Sequence, residues 1–309
     1  MYLRRLIIVI LMILAGSFLI GKTFDIRYRK RWEYFFFTKP EEAVYGKENY
    51  DILFFGNSKI HSGLNPFYID SVTKMSSYNF AVGSAEEQEM KMLATAYLDN
   101  HNPPKFVVIG VDNSMLIKYN ILKERFVYLY YLQNDTIKKF MQQNGFATSL
   151  IKAAPFLKYS FFDEYNRTSL FTGKEKINGH FYKGFFNPFT ELSADTTTIT
   201  RQFYKTLPQA ETINDTSAAM LRQTVELFQS KGTKVVFLYT PVKKIRKGGL
   251  LSERDSFFIK LENTYNIPVL YTDTSTLFEQ KYFVDDYHLN KPGSRILSIL
   301  VAEFIKKLH

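Results

Sequence analysis

Five short, nearly uninterrupted apolar runs punctuate the chain: Tyr50 to Phe55, Ser77 to Ala81, Lys105 to Gly110 (KFVVIG), Lys234 to Tyr239 (KVVFLY) and Pro268 to Tyr271. Runs of this length without polar alternation are expected of strands covered on both faces. Between them, apolar residues recur at helical spacing. Ala85 to Leu98 aligns Met90, Leu93, Ala94 and Tyr97 behind an acidic first turn, and Thr216 to Lys231 carries Met220, Leu221, Val225, Leu227 and Phe228 ahead of the terminator Gly232. Leu251 to Tyr265 and Pro292 to Leu308 complete the set, the last with a proline in its first turn, where no N–H is needed. Strand and helix alternate, so the economical expectation is an α/β fold on an open parallel sheet.

Two stretches depart from that alternation. Leu6 to Gly21 (LIIVILMILAGSFLIG) is continuously apolar behind Arg4-Arg5 and reads as a signal anchor or signal peptide; no convincing small-x-small cleavage site follows, which favours an uncleaved anchor. The stretch from about Ser114 to Gln209 is rich in Tyr, Phe and Lys and reads as an insertion between the third and fourth strands. It leaves from the carboxyl end of the third strand, where α/β proteins place ligands, so a lid, a substrate platform and a purely structural subdomain are all open to it. The expected organisation is an anchor at 1–22, a charged and aromatic juxtamembrane segment at 23–48, and an α/β domain at 49–309 with its insertion at about 114–209.

Composition narrows the chemistry. The 309 residues, 46% hydrophobic and 23% charged, suffice for a substantial core. With no cysteine there are no disulfides, thiolate zinc sites or cysteine nucleophiles, and no two of the five histidines have metal-ligand spacing. The expectation is a protein without metal or cofactor. The net charge of +10 is scattered, apart from the juxtamembrane cations and Lys243-Lys244-Ile-Arg246-Lys247, and no nucleic-acid motif accompanies it. A membrane surface or an anionic envelope polymer fits that charge at least as well as nucleic acid. Lys22, Arg27, Arg29, Lys30 and Arg31 follow the apolar segment, and by the positive-inside rule alone they would hold the large domain in the cytoplasm.

The residues able to carry chemistry lie at opposite ends of the domain. Asp51-Ile-Leu-Phe-Phe-Gly56-Asn57-Ser58 is an apolar run that stops at a glycine turn and delivers a serine to the carboxyl end of a strand. Asp285-Asp286-Tyr287-His288 sets an acid three residues before a histidine, just ahead of the last helix. A serine hydroxyl becomes a nucleophile when an imidazole takes its proton, and a carboxylate fixes the tautomer of that imidazole. Ser58, His288 and Asp285 are therefore the candidate triad. The backbone N–H of Ser58, Gly83 beyond the second strand and Asn113 beyond the third are candidate oxyanion donors. His61, one turn past Ser58, is poorly aimed as a base and is expected to line the pocket or sit at its rim. Each of these segments is also compatible with an ordinary turn or helix cap.

Three blocks, FFGNSKIHSGLNP (54–66), YNFAVGSA (78–85) and DDYHLNKPG (285–293), resemble the SGNH or GDSL-like hydrolase superfamily. Within it they are similar to the membrane-anchored branch of D-alanyl-lipoteichoic acid transfer and alginate-type O-acetylation proteins. The resemblance covers roughly residues 50 to 115 and 234 to 309. It implies a flavodoxin-like three-layer sandwich, with Ser58 as nucleophile, His288 as base, Asp285 as its partner, and Gly83 and Asn113 as oxyanion donors. The third block departs from the pattern, because the family's Gly-x-Asn-Asp stands here as Gly110-Val111-Asp112-Asn113. The resemblance further implies a single-pass inner-membrane protein with an extracytoplasmic domain. Its substrate would be an acylated envelope polysaccharide or polymer, and an integral-membrane acyltransferase is a possible partner. A non-catalytic envelope scaffold or glycan-binding protein on the same fold is the alternative.

Overall fold

The computed structural model describes residues 2–32, 38–111, 115–116, 125–161, 181–187, 213–243, 250–273 and 276–309. They form two compact units, Met1–Tyr45 with Leu122–Ile177, and Gly46–Ile121 with Asn178–His309.

The first unit is helical. Helix α1 (Tyr2–Trp32) runs well beyond the apolar stretch at both ends, and its portion Tyr2–Ile26 is long and apolar enough to cross a membrane. It is joined by α2 (Thr38–Tyr45), by 3-10 turns at Arg125–Tyr130 and Pro155–Phe161, and by α6 (Asp135–Gln143) and α7 (Thr148–Ala153), numbered in chain order with the elements of the second unit. The end of the apolar helix is clamped. The Lys158 ammonium lies 2.6 Å from Asp25 Oδ1 and 4.0 Å above the Tyr130 ring. The Tyr159 hydroxyl rests against the Asp25 carboxylate and 2.9 Å from the Gly21 carbonyl oxygen. Phe24 meets the Tyr159 ring edge-on. Lys158 is buried, so removing Asp25 would strand its charge, at a cost of about 3–5 kcal/mol.

The second unit is the α/β domain. Its elements are β1 (Ile52–Phe55), α3 (Ser58–Gly63), α4 (Pro66–Thr73), β2 (Ser77–Asn79), α5 (Glu87–Leu98), β3 (Phe106–Val111), a small antiparallel hairpin β4 (Phe181–Tyr182) and β5 (Phe185–Phe186), α8 (Asp215–Gln229), β6 (Lys234–Tyr239), α9 (Leu250–Tyr265), β7 (Val269–Tyr271) and α10 (Lys291–Leu308). The sheet order is β2-β1-β3-β6-β7, with every neighbour parallel. All five expected strands are present. So are the four expected helices, with ends shifted by one or two residues. The short helices α3 and α4 and the β4–β5 hairpin had no signal in the periodicity.

Side chains leave a strand on alternate faces, and β1 shows the consequence. Ile52 and Phe54 enter a cluster with Ile60 of α3, Leu64 just after it, Ile69 of α4, and Leu297, Val301 and Ile305 of α10. Phe55 faces the other way, stacks on Phe80 and lies tilted against Phe228, while Phe80 meets Tyr97 of α5. Both faces are covered, which is why the strands read as continuous apolar runs. The sheet order reverses between β1 and β3. A crevice at that reversal, beyond the carboxyl ends of the strands, is where doubly wound sheets take ligands.

Candidate active site

Ser58 stands at the reversal. It is the first residue of α3, and the turn that delivers it is fixed by Asn57, whose side chain accepts the Lys59 N–H at 3.0 Å and whose carbonyl accepts the N–H groups of Ile60 and His61. Two glycines bring α3 down onto the sheet edge. A Cβ on Gly110 would lie 2.1 Å from Ile60 Cγ1, and one on Gly56 2.7 Å from the same atom. Gly56 also adopts φ +147°. The helix that carries the serine therefore packs directly over the ends of β1 and β3.

Asn79, fully buried at the end of β2, ties that helix in place. Its amide nitrogen donates to the carbonyls of Ile60 (2.9 Å) and Leu64 (2.8 Å), and its oxygen accepts the Ala81 N–H (3.0 Å). His61 is also buried, and its Nδ1 lies 3.0 Å from the Ala81 carbonyl. A carbonyl only accepts, so Nδ1 carries the proton. His61 thus joins α3 to the loop after β2, with its ring perpendicular to that of Phe186.

The histidine approaches from the other end of the chain. Val284 N–H donates to the His288 carbonyl and Phe283 bridges to Leu289, closing a tight loop. Within it Asp285 Oδ1 accepts the N–H groups of Tyr287 and His288, each at 2.7 Å, an Asx-type turn. Asp285 Oδ2 lies 2.7 Å from His288 Nδ1, and His288 Nε2 lies 2.8 Å from Ser58 Oγ. The carboxylate accepts the Nδ1–H, which leaves the Nε2 lone pair facing the serine hydroxyl. Burial alone would raise the Asp285 carboxyl. The hydrogen bond and charge of His288, with the two backbone N–H groups, outweigh burial and hold Asp285 below the ordinary carboxylate range. Lys59, beside the serine, reaches over the Tyr287 ring at 5.2 Å and adds a cation–π contact between nucleophile helix and histidine loop.

The three expected triad residues are thus brought into one hydrogen-bonded line, although Ser58 and His288 are 230 positions apart. Gly83 lies in the turn after β2, with open space where a side chain would begin. Asn113 lies outside the described residues. Sequence reasoning missed the positioning residues Asn79 and Gly110. Asn79 stands inside the second matching block, and Gly110 closes the KFVVIG run, so both were in view without a signal for their contacts.

No protein-family model matches the sequence, and no curated protein matches it. Similar solved structures include one described as a lipolytic protein of the G-D-S-L family from Desulfitobacterium hafniense DCB-2, with 11% identity, a TM-score of 0.43, and coverage of 82% of this chain and 99% of the other. An acetyl xylan esterase is similar at 10% identity and TM-score 0.42, over 83% of this chain and 98% of that one. A family two carbohydrate esterase from Clostridium thermocellum, in complex with cellohexaose, gives 10% identity and TM-score 0.39 over 86% and 66%. The chain's own sheet order, β2-β1-β3-β6-β7 with helices on both faces, is the doubly wound, flavodoxin-like order, and Ser58, His288 and Asp285 meet at its carboxyl edge.

Proposed function

We propose that this protein is a membrane-anchored serine acyl hydrolase or O-acyltransferase that works through an acyl-Ser58 intermediate. The observation that carries the reading is the continuous line from Asp285 Oδ2 through His288 to Ser58 Oγ, with contacts of 2.7 and 2.8 Å. His288 Nε2 takes the hydroxyl proton as Ser58 Oγ attacks the ester carbonyl, and the ionised Asp285 stabilises the imidazolium. The N–H groups of Ser58 and Gly83 are the donors we assign to the oxyanion, with the Asn113 amide as a third. As the tetrahedral adduct collapses, the C–O bond to the departing alcohol breaks and His288 returns the proton to that oxygen. Water or a sugar hydroxyl then gives its proton to His288 and attacks the acyl-serine; the acyl C–Oγ bond breaks and His288 returns the proton to Ser58 Oγ. Water makes the protein an esterase; a sugar hydroxyl makes it a transferase.

The reading extends to an acylated envelope glycan or polymer as substrate, an inner-membrane anchor with the domain outside the cytoplasm, and an integral-membrane acyltransferase as donor of acyl groups. Helix α1 supports the anchor, and the aromatic, cationic composition of the middle of the chain suits an anionic glycan or polymer; the side of the membrane is taken from the family resemblance, against the positive-inside rule. The test is labelling of the detergent-solubilised full-length chain with a fluorophosphonate probe. Wild type is expected to label, and Ser58→Ala and His288→Ala are expected to lose the label. A folded wild-type protein that does not label would turn the reading toward a glycan-binding scaffold.

A further inference from the structure

One buried side chain outside the triad touches both halves of it. Asn187 follows β5 and is completely buried. Its amide nitrogen donates to the carbonyl of Ser62, at 2.9 Å, and to the carbonyl of Leu289, at 3.0 Å. Ser62 is on the helix of the nucleophile, and its own hydroxyl donates to the Ser58 carbonyl at 2.9 Å. Leu289 is the residue directly after His288. One NH2 group therefore joins the serine helix to the histidine loop, two elements whose only other described links are the Ser58–His288 bond itself and side-chain packing such as Lys59 on Tyr287.

The hairpin that carries Asn187 is held from several sides. Asn79 N–H donates to the Lys183 carbonyl at 3.0 Å, so the turn of the hairpin caps the end of the edge strand β2. Gly184 adopts φ +79°, and a Cβ there would stand 2.1 Å from the Asn79 carbonyl oxygen, so only glycine permits the approach. Lys183 Nζ pairs with Asp70 of α4 at 2.6 Å, and Phe186 meets the His61 ring. Asn187 is thus presented by a braced element to two backbone carbonyls in the interior. A dry carbonyl left without a donor is destabilising. Alanine at 187 would leave both without this donor, and a relaxed gap between serine and imidazole would relieve them.

We propose that Asn187 is a positioning residue, whose amide sets the distance between Ser58 and His288 by bridging the Ser62 and Leu289 carbonyls. The proposal rests on the reading of Ser58 as nucleophile. Because proton transfer needs hydrogen-bond reach, a displacement of about 1 Å is enough to lower a rate on the order of 100-fold. The loss falls on kcat, since the amide touches no substrate.

The test uses the full-length chain in detergent, with 4-nitrophenyl acetate turnover, the fluorophosphonate inactivation rate and thermal unfolding measured on each variant. Asn187→Ala is expected to lower kcat and the inactivation rate by roughly 10- to 100-fold, with KM within about 2-fold, at temperatures where it is fully folded. Asn187→Ser keeps one donor and is expected to recover part of the loss. It also carries the test if the alanine variant does not fold. Lys183→Met, which removes the Asp70 ion pair from the same hairpin, is expected to lower the unfolding temperature while kcat stays near wild type. A folded Ala variant with wild-type kcat overturns the inference, as does a Ser variant with wild-type kcat where the alanine variant does not fold, or a loss of the same size in Lys183→Met. Wild-type protein inert to both reagents would instead overturn the catalytic reading of Ser58, so the two failures are distinguishable.

Discussion

Replacing Asp285 by asparagine tests the site with the least disturbance of shape. Asp285 accepts three hydrogen bonds: the N–H groups of Tyr287 and His288 on Oδ1, and His288 Nδ1 on Oδ2. The amide of an asparagine can be placed in two ways. With its oxygen toward the two backbone N–H groups, the turn survives and the NH2 faces Nδ1. With its nitrogen there, four N–H hydrogens crowd together and the turn is broken. The first arrangement wins, and it forces Nδ1 to accept. The imidazole proton then sits on Nε2, pointing at Ser58 Oγ, and the base is occupied before the reaction begins. A wrong tautomer of this kind costs about 10⁴ in kcat. At 1.36 kcal/mol per factor of ten, that is about 5.4 kcal/mol of transition-state stabilisation. The assay is 4-nitrophenyl acetate turnover and fluorophosphonate inactivation by the full-length chain, with thermal unfolding as a check that the turn persists. A folded Asp285→Asn variant that keeps more than about a tenth of wild-type kcat would refute the assignment of the carboxylate.

Two further substitutions probe what surrounds the triad. Gly110→Ala would press a methyl into Ile60, 2.1 Å away, so a destabilisation of about 1–3 kcal/mol is expected in thermal or denaturant unfolding. Adding Ile60→Ala should make the pair less costly than the sum of the singles, and strict additivity would show that the contact is not what excludes a side chain at 110. Glu87 is buried at the start of α5, where burial raises its carboxyl above the ordinary range despite the hydrogen bond from Leu116 N–H. A carboxyl whose folded pKa is raised contributes full stability below its unfolded pKa and loses it as pH climbs through the folded value. Glu87→Gln is therefore expected to gain stability over wild type as pH rises from about 4 to 8, and a difference in melting temperature that does not change with pH would contradict this.

The parts of the fold that could be read from the sequence are those whose cause is local. A strand covered on both faces leaves an unbroken apolar run, as Phe106–Val111 does, and a packed helix leaves a stripe at 3.6-residue spacing, as α8 does. The meeting of Ser58 with His288 was also legible, although it spans most of the domain. In a parallel sheet every strand delivers its following loop to the same edge, so a serine after β1 and a histidine before α10 converge there by topology. What left no trace was the cross-linking. Asn187 bonds to the carbonyls of Ser62 and Leu289, and a backbone carbonyl is the same whatever side chain follows it. Helix α3 is only six residues long and holds its shape through Asn57 and Asn79 rather than through an apolar stripe. The role expected of Asn113 falls outside the described residues.

The clamp at the end of the apolar helix changes what it means to call that helix an anchor. Asp25, Phe24 and Gly21 supply one side of a small folded body whose other side comes from residues more than a hundred positions later, Tyr130, Phe156, Lys158 and Tyr159. An ordinary tether can be cut away and leave its cargo whole. Here a chain trimmed ahead of Gly46 would keep Lys158 and lose its counter-ion, and would keep the Tyr159 ring and lose the helix against which it lies. Solubilising the protein by deleting its first residues is thus the removal of half a domain. The rational preparation is the intact chain, in detergent or in a lipid disc.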